Sequence, residues 1–135
     1  MFSRPRHTAV AVAIGLSATL TAELASADSH GNRNVHAREF DGETYVMYRN
    51  HMSLYTYDKD PIGLSMCNDA CTDTWIPAIL DAGTKLGESY SLIVRPDGKM
   101  QAAFRGKPLY LYSKDRKPGD KKGDGVNGEW HLARP

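Results

Sequence analysis

Cys67 and Cys71 are the only cysteines among the 135 residues, and their spacing carries the strongest chemical signal in the chain. On a helix, residues four apart share a face with Cα atoms about 6 Å from each other, a distance that a disulfide accepts. Such pairs become oxidised in proteins that leave the cytoplasm. We therefore favour a structural disulfide in one short helix, with Ser65 as its amino-terminal cap.

The same two sulfurs support an alternative hypothesis. Thiolates are soft ligands that select copper(I), and His51 and Met52 lie close enough in sequence to assist. The alternative to a structural crosslink is therefore a copper-binding or thiol-redox protein that uses Cys67 and Cys71. Under the favoured interpretation the chain has no metal and no other cofactor.

Asp60 and Asp115 are the best candidates for a catalytic carboxylate pair, but they occupy equivalent positions in a repeat. Each ends a matching heptapeptide, Leu-Tyr-Thr-Tyr-Asp-Lys-Asp and Leu-Tyr-Leu-Tyr-Ser-Lys-Asp. An acid–base pair needs two different environments, whereas a repeat predicts two similar ones. We therefore expect both aspartates to accept backbone N–H bonds and fix turns, and we predict no catalytic residues.

The repeat has an offset of 55 residues, which also carries Trp75 onto Trp130. This match predicts two copies of one unit, at about residues 44–80 and 99–135. We expect the shared residues to be structural: Tyr55, Tyr57, Asp60, Trp75, Tyr110, Tyr112, Asp115 and Trp130.

The elements around these residues are short β-strands. Runs at 44–49 and 54–57 indicate a hairpin, and runs at 90–95, 100–105 and 108–113 indicate a meander. Alternation places the repeat tyrosines on one face and their leucine neighbours on the other, with the tyrosines buried against the tryptophans. The predicted fold is mainly β: a small antiparallel sheet or sandwich of two repeats with one short helix near the cysteines.

The amino-terminal residues predict export. A basic start, an apolar run and Ala25-Ser26-Ala27 are typical of a cleaved signal peptide over residues 1–27. We expect a flexible leader at 28–42, a single β domain at 43–135 and no transmembrane segment after cleavage. No cysteine lies near residue 28, so a lipid anchor is not expected. The predicted location is the periplasm or the exterior of a bacterial cell.

The formal net charge of +1 argues against a nucleic-acid partner, because such proteins need a basic surface to displace phosphate counterions. Phosphate-binding loops, nucleophile elbows and zinc-protease motifs are also missing from the sequence. These exclusions leave an exported module that binds an envelope protein or a small ligand.

The motif Tyr-x-aromatic-x-x-Asp, present at Tyr55 and again at Tyr110, resembles the bacterial secreted-repeat family of predicted lipoproteins defined by it. Flanking matches include the Cys67-x-x-x-Cys71-x-x-x-Trp75 segment and Arg95-x-Asp97-Gly98. The resemblance implies an exported protein built from repeats, and the activity of the family is unassigned. We therefore expect a non-enzymatic module with a binding or cell-envelope role.

Overall fold

A computed structural model of the chain describes residues 10–15, 17 and 34–135. The predicted cleavage site and most of the predicted signal peptide lie outside these residues. Within the described ranges, none of the helices combines the length and apolar character that a membrane crossing requires.

The described residues are mainly β, which confirms the predicted fold class. They form ten short strands, a helix α1 at Cys71–Thr74 and a 3₁₀ turn at Val126–Gly128. In chain order the strands are β1 (Val35–Phe40), β2 (Glu43–Tyr48), β3 (Tyr55–Tyr57), β4 (Trp75–Pro77), β5 (Ile79–Leu80), β6 (Tyr90–Val94), β7 (Met100–Phe104), β8 (Lys107–Pro108), β9 (Tyr110–Tyr112) and β10 (Trp130–Leu132).

These strands form three antiparallel sheets. One is the β1–β2 hairpin, and another has the order β5-β7-β6 with β8 also paired to β7. The third, which we call the central sheet, has the order β10-β3-β9-β4. Its strands therefore come alternately from the two repeats.

The central sheet has an internal two-fold symmetry. Tyr55 pairs with its own repeat partner Tyr110 at the middle of the sheet. On either side, Trp130–Leu132 pairs with β3, and the equivalent segment Trp75–Pro77 pairs with β9. The tryptophan-bearing strand of each repeat therefore pairs with a strand of the other repeat.

The symmetry extends further toward the amino terminus than the sequence match indicates. The amide of Val46 donates to Ala133 and the amide of Leu54 to Val46, and Ala102 makes the corresponding bonds with Ala78 and Leu109. Strand β2 is therefore equivalent to β7, and β1 to β6. The structural units begin near residues 35 and 90, whereas the sequence repeat was placed at 44 and 99.

The structure corrects the predicted flexible leader at 28–42 over residues 35–40. These residues form β1 and pair along their whole length with β2. Val35 is fully buried, although the rest of the strand is largely exposed and polar. The turn between the strands is Asp41-Gly42, both with positive φ. This dipeptide is one of the commonest hairpin turns, and it allows a polar segment to form a strand.

Two smaller expectations are also corrected. Cys67 does not lie on the helix, which begins only at Cys71 and has Ala70 at its N-cap, without a side-chain cap bond. The predicted hairpin of 44–49 with 54–57 is reduced to a bridge between Met47 and Ser53, because β2 and β3 enter different sheets.

Apolar side chains form two core clusters, as alternation along the repeat strands predicts. Leu54 and Leu109 belong to a mainly aliphatic cluster that also holds Val46, Ala102 and Phe104. The second cluster is aromatic, and its buried members are Tyr45, Met47, Tyr55, Cys67, Trp75, Tyr110, Tyr112, Trp130 and Leu132.

Candidate functional site

The two repeats are joined by reciprocal hydrogen bonds between their motif residues. The hydroxyl of Tyr55 donates to Oδ2 of Asp115 at 2.6 Å, and the hydroxyl of Tyr110 donates to Oδ2 of Asp60 at 2.8 Å. Asp60 is 3% exposed and Asp115 is 8% exposed. Each tyrosine therefore satisfies the carboxylate of the other copy rather than that of its own.

The second oxygen of each carboxylate holds the loop that follows it. Oδ1 of Asp60 accepts the amide of Met66 at 2.6 Å, and Oδ1 of Asp115 accepts the amide of Lys122 at 3.0 Å. These amides are six and seven residues along the chain, so the second loop contains one extra residue at this point. Cys67 therefore corresponds to Gly123, one position later than the sequence offset indicates.

The ionisation of the motif residues follows from this burial. Burial raises the pKa of Asp60 and of Asp115, although the tyrosine and amide hydrogen bonds act in the opposite direction. Burial also raises the pKa of Tyr55 and of Tyr110 well above its usual range, so both hydroxyls remain donors. The two carboxyls thus accept the same kinds of hydrogen bond. They differ in the charges that act on them, which are Lys107 and Arg95 at Asp60, and Asp120 and Lys122 at Asp115.

Four aromatic rings stack through the symmetry axis. Trp75 and Trp130 lie parallel, with centroids 3.8 Å apart. Tyr112 stacks on the outer side of Trp75 at 4.3 Å, and Tyr57 stacks on Trp130 at 4.2 Å. The rings are partly or fully buried, so the described structure does not present them as an exposed aromatic surface.

Cys67 and Cys71 form a disulfide with a Cα–Cα distance of 5.3 Å, and no other cysteine is present. The oxidised pair offers no thiolate to a metal. In the described part of the chain, no group of three or more histidine, cysteine or acidic side chains is arranged to hold a metal ion. His51 and Met52 lie in the turn after β2, where their amides bond to Tyr48 and Asn50.

A buried arginine next to the disulfide loop was missed by the sequence analysis. Arg95, 6% exposed, donates to Ser65 at 2.8 Å, to Gln101 at 2.7 Å, and to Cys67 O and Asn68 Oδ1. Ser65 in turn bonds to the hydroxyl of Tyr110. Ser65 is therefore part of a buried network that connects Arg95 to the carboxylate of Asp60, and it does not cap a helix. The signals in the sequence were the position of Arg95, directly after a mostly apolar strand, and its place in the Arg95-x-Asp97-Gly98 match.

A second feature without a sequence signal is a surface depression of about 300 Å³ at the edge of the central sheet. Its residues come from β3, from the β7–β8 turn and from the carboxyl-terminal segment. The lining combines three cations with Thr56 and apolar side chains. The residues are Thr56, Phe104, Arg105, Lys107, Leu132, Ala133 and Arg134.

Two of these cations are held in place. Nζ of Lys107 donates to the carbonyl of Asp60 at 2.9 Å. Arg134 bonds to Glu43 and Asp124, each at 2.9 Å. Among the described residues, no carboxylate lines the depression, so Arg105 and Lys107 give it a positive charge.

Comparison with known proteins identifies one family. No curated protein and no solved structure matches the chain significantly. Residues 91–134 match the model of a family described as a secreted repeat of unknown function, which confirms the resemblance inferred from the motif. The matched segment begins in β6, as does the second structural unit. Over residues 91–134 the chain is thus similar to a secreted repeat whose function is unknown.

Proposed function

We propose that the chain is an exported, non-enzymatic binding module of the bacterial envelope that takes a small organic anion. The observation that carries the proposal is the depression at the edge of the central sheet, with its three cations and apolar floor. The secreted character of the matching family supports a location in the periplasm or outside the cell.

The composition of the depression specifies the class of ligand. Phe104, Leu132 and Ala133 are almost fully buried and form an apolar surface at its base. Arg105 and Lys107 stand around it and can each donate a charge-assisted hydrogen bond. An apolar base with a few polar groups at the rim is typical of small-molecule sites, and about 300 Å³ lies at the lower end of their range. A small anion with an apolar portion fits best.

The non-enzymatic part of the proposal is supported by the carboxylates. Asp60 and Asp115 are the candidate acid–base pair of the sequence, and each is engaged by a tyrosine of the other repeat and by a loop amide. A general acid or base must reach the proton that it transfers. Both groups instead serve as links between the repeats.

Isothermal titration with phenyl phosphate and with inorganic phosphate tests the proposal. Phenyl phosphate should bind more tightly, because only its ring can use the apolar base. Arg105→Gln should weaken binding about fivefold, the value of one partly exposed charge contact. Arg116→Gln is the matched control, since Arg116 is exposed and does not line the depression.

Two results would contradict the proposal. One is an equal loss of binding in the Arg105 and Arg116 variants, because a diffuse charge effect has no preferred residue. The other is binding to anionic lipid vesicles without binding to phenyl phosphate, which would make the ligand a membrane surface. Binding of phenyl phosphate that Arg105→Gln alone weakens supports the small-anion site.

A further inference from the structure

Two histidines of the first repeat meet at the open end of the β1–β2 hairpin. His36 lies on β1 opposite Met47, and His51 follows β2 in the turn that leads to β3. Their ring centroids are 5.6 Å apart, and the rings are nearly perpendicular at 83°. Residues 15 positions apart in the sequence thus present two imidazoles at one place.

One nitrogen of this pair has no hydrogen-bond partner. Nδ1 of His36 is shielded from solvent, and no donor or acceptor among the described residues reaches it. Buried polar atoms are normally satisfied, so an orphaned imidazole nitrogen needs an explanation. Burial, and then the neighbouring His51 and Arg38, lower the pKa of His36. A bound metal ion would satisfy this nitrogen, since imidazole is the commonest side-chain ligand for metals.

The fold itself does not require either histidine. At the repeat offset, the second copy has Ser91 in place of His36 and Gly106 in place of His51. His51 and Gly106 both have positive φ, at 65° and 81°. Glycine adopts this conformation without a steric penalty, whereas a β-carbon is disfavoured there. Architecture alone thus favours glycine at this turn, as the second repeat has it.

The separation of the rings fits a shared ion. Imidazole nitrogens bind first-row metals at about 2.0–2.1 Å, and two rings on one ion then have centroids roughly 5–6 Å apart. We propose that His36 and His51 together bind one first-row transition-metal ion, copper(II) more tightly than zinc(II). The order of the two metals follows from the general affinity series for nitrogen ligands. The other coordination positions are open to water or to a ligand from another molecule.

This site is separate from the proposed anion site and uses none of its residues. It also differs from the copper alternative based on the cysteines, because the ligands here are the two imidazoles and the disulfide takes no part. The amino terminus of the cleaved chain would form a competing copper site, which must be removed before the titration. Cleavage after Ala27 would expose Asp28-Ser29-His30, whose amine, amides and imidazole compete for copper(II), so the titration uses protein with His30→Ala.

The experiment is a titration of His30→Ala protein with copper(II) and with zinc(II), followed by calorimetry and by electron paramagnetic resonance of the copper form. We expect one ion per chain, stronger binding of copper and hyperfine coupling to two nitrogens. His36→Asn and His51→Gly, each added to this background, should weaken copper binding by at least about tenfold, the least that losing even an outer contact to a metal costs.

His51→Gly is the sharper of these variants, because the turn accepts glycine and the fold should be retained. His131→Asn is the matched control. His131 lies on β10 and its ring pairs with Asp58, so this substitution should leave copper binding unchanged. The proposal is overturned if no copper binds, if His51→Gly binds as well as the parent, or if His131→Asn loses binding to the same extent.

Discussion

Four residues at the centre of the molecule combine burial with hydrogen bonding, and they predict an unusual dependence of stability on pH. Burial raises the pKa of Asp60 and Asp115 in the folded chain. The folded chain therefore holds the carboxyl protons more tightly than the unfolded chain, in which the pKa is about 3.9. This contribution to stability is fully present below about pH 3.9 and is lost as pH rises through the higher pKa of the folded chain. The cost of Asp115→Asn in free energy of unfolding should therefore be smaller at about pH 7 than at about pH 3.

Asp124 provides a control of opposite sign, measured in the same urea denaturation series. Burial acts to raise the pKa of Asp124, but the hydrogen bonds from Arg134 and Leu132 together lower it. Its contribution is present above the unfolded pKa and is lost as pH falls. Asp124→Asn should therefore cost more at neutral than at acid pH. If the cost of both substitutions in free energy of unfolding changed with pH in the same direction, the opposite pKa shifts of the two aspartates would be refuted.

The tyrosine hydroxyls give a second prediction at this scale. Tyr55→Phe and Tyr110→Phe each remove a donor to a buried carboxyl, which should cost about 1–3 kcal/mol of unfolding free energy. The two losses should be similar, because the two sites are related by symmetry. Tyr45→Phe is the comparison, since the buried hydroxyl of Tyr45 has no hydrogen-bond partner within residues 34–135. It should be neutral or stabilising by thermal denaturation, and a loss equal to that of Tyr55→Phe would contradict the assignment.

Sequence reasoning could identify the motif residues but not their partners. The offset of 55 residues marks Tyr55, Asp60 and their copies as equivalent, yet it does not say which copy each tyrosine contacts. That choice depends on strand order, which periodicity does not encode. The networks of Arg95 and His36 were missed for a related reason: each is a single polar residue with a partner far away in the sequence, Ser65 for Arg95 and His51 for His36.

Among the elements, the disulfide loop gives the clearest prediction. Cys67 and Cys71 close a short loop, for which chain entropy alone predicts roughly 2 kcal/mol of stabilisation. The double variant Cys67→Ala, Cys71→Ala should lower the unfolding free energy by about this amount in urea, with the native far-ultraviolet spectrum retained. Reduction of the parent protein should give a similar loss. An unchanged midpoint in both cases would show that the crosslink constrains nothing.

The equivalent loop of the second repeat shows why a crosslink is not needed there. A β-carbon at Gly123 would lie 2.8 Å from the ring of Trp75 and 2.9 Å from that of Tyr55. Close contact between backbone and rings therefore fixes this loop. The sequence shows the glycine, but its packing role depends on which rings lie beneath it. Strand β1 was overlooked because its side chains are mostly polar, and only Asp41-Gly42 indicated the hairpin.

The arrangement of the whole molecule follows from the exchange of strands between repeats. Every pairing in the central sheet, β10 with β3, β3 with β9 and β4 with β9, joins a strand of one half to a strand of the other. The sequence predicted two copies packed into one core, and it left open whether each copy forms its own sheet. Strands of three residues cannot form a stable sheet alone, so the two copies depend on each other.

This dependence predicts the behaviour of a divided chain. A cut between Thr84 and Lys85, in the segment that joins β5 to β6, separates the two units without interrupting a strand. Neither fragment should show the central sheet by circular dichroism or bury its tryptophan by fluorescence. Mixing them at equal concentration should restore both signals, because the Trp75–Trp130 stack forms only between fragments.

A second fragment carrying Trp130→Ala serves as the control for this association. It should bind its partner much more weakly, since replacing a buried tryptophan by alanine costs about 3–5 kcal/mol. If either fragment folded cooperatively alone, each repeat would be a domain in its own right, and the shared sheet would be a contact between finished units. We expect instead that the sheet, the reciprocal tyrosine–aspartate bonds and the ring stack form together, because each contains groups from both halves.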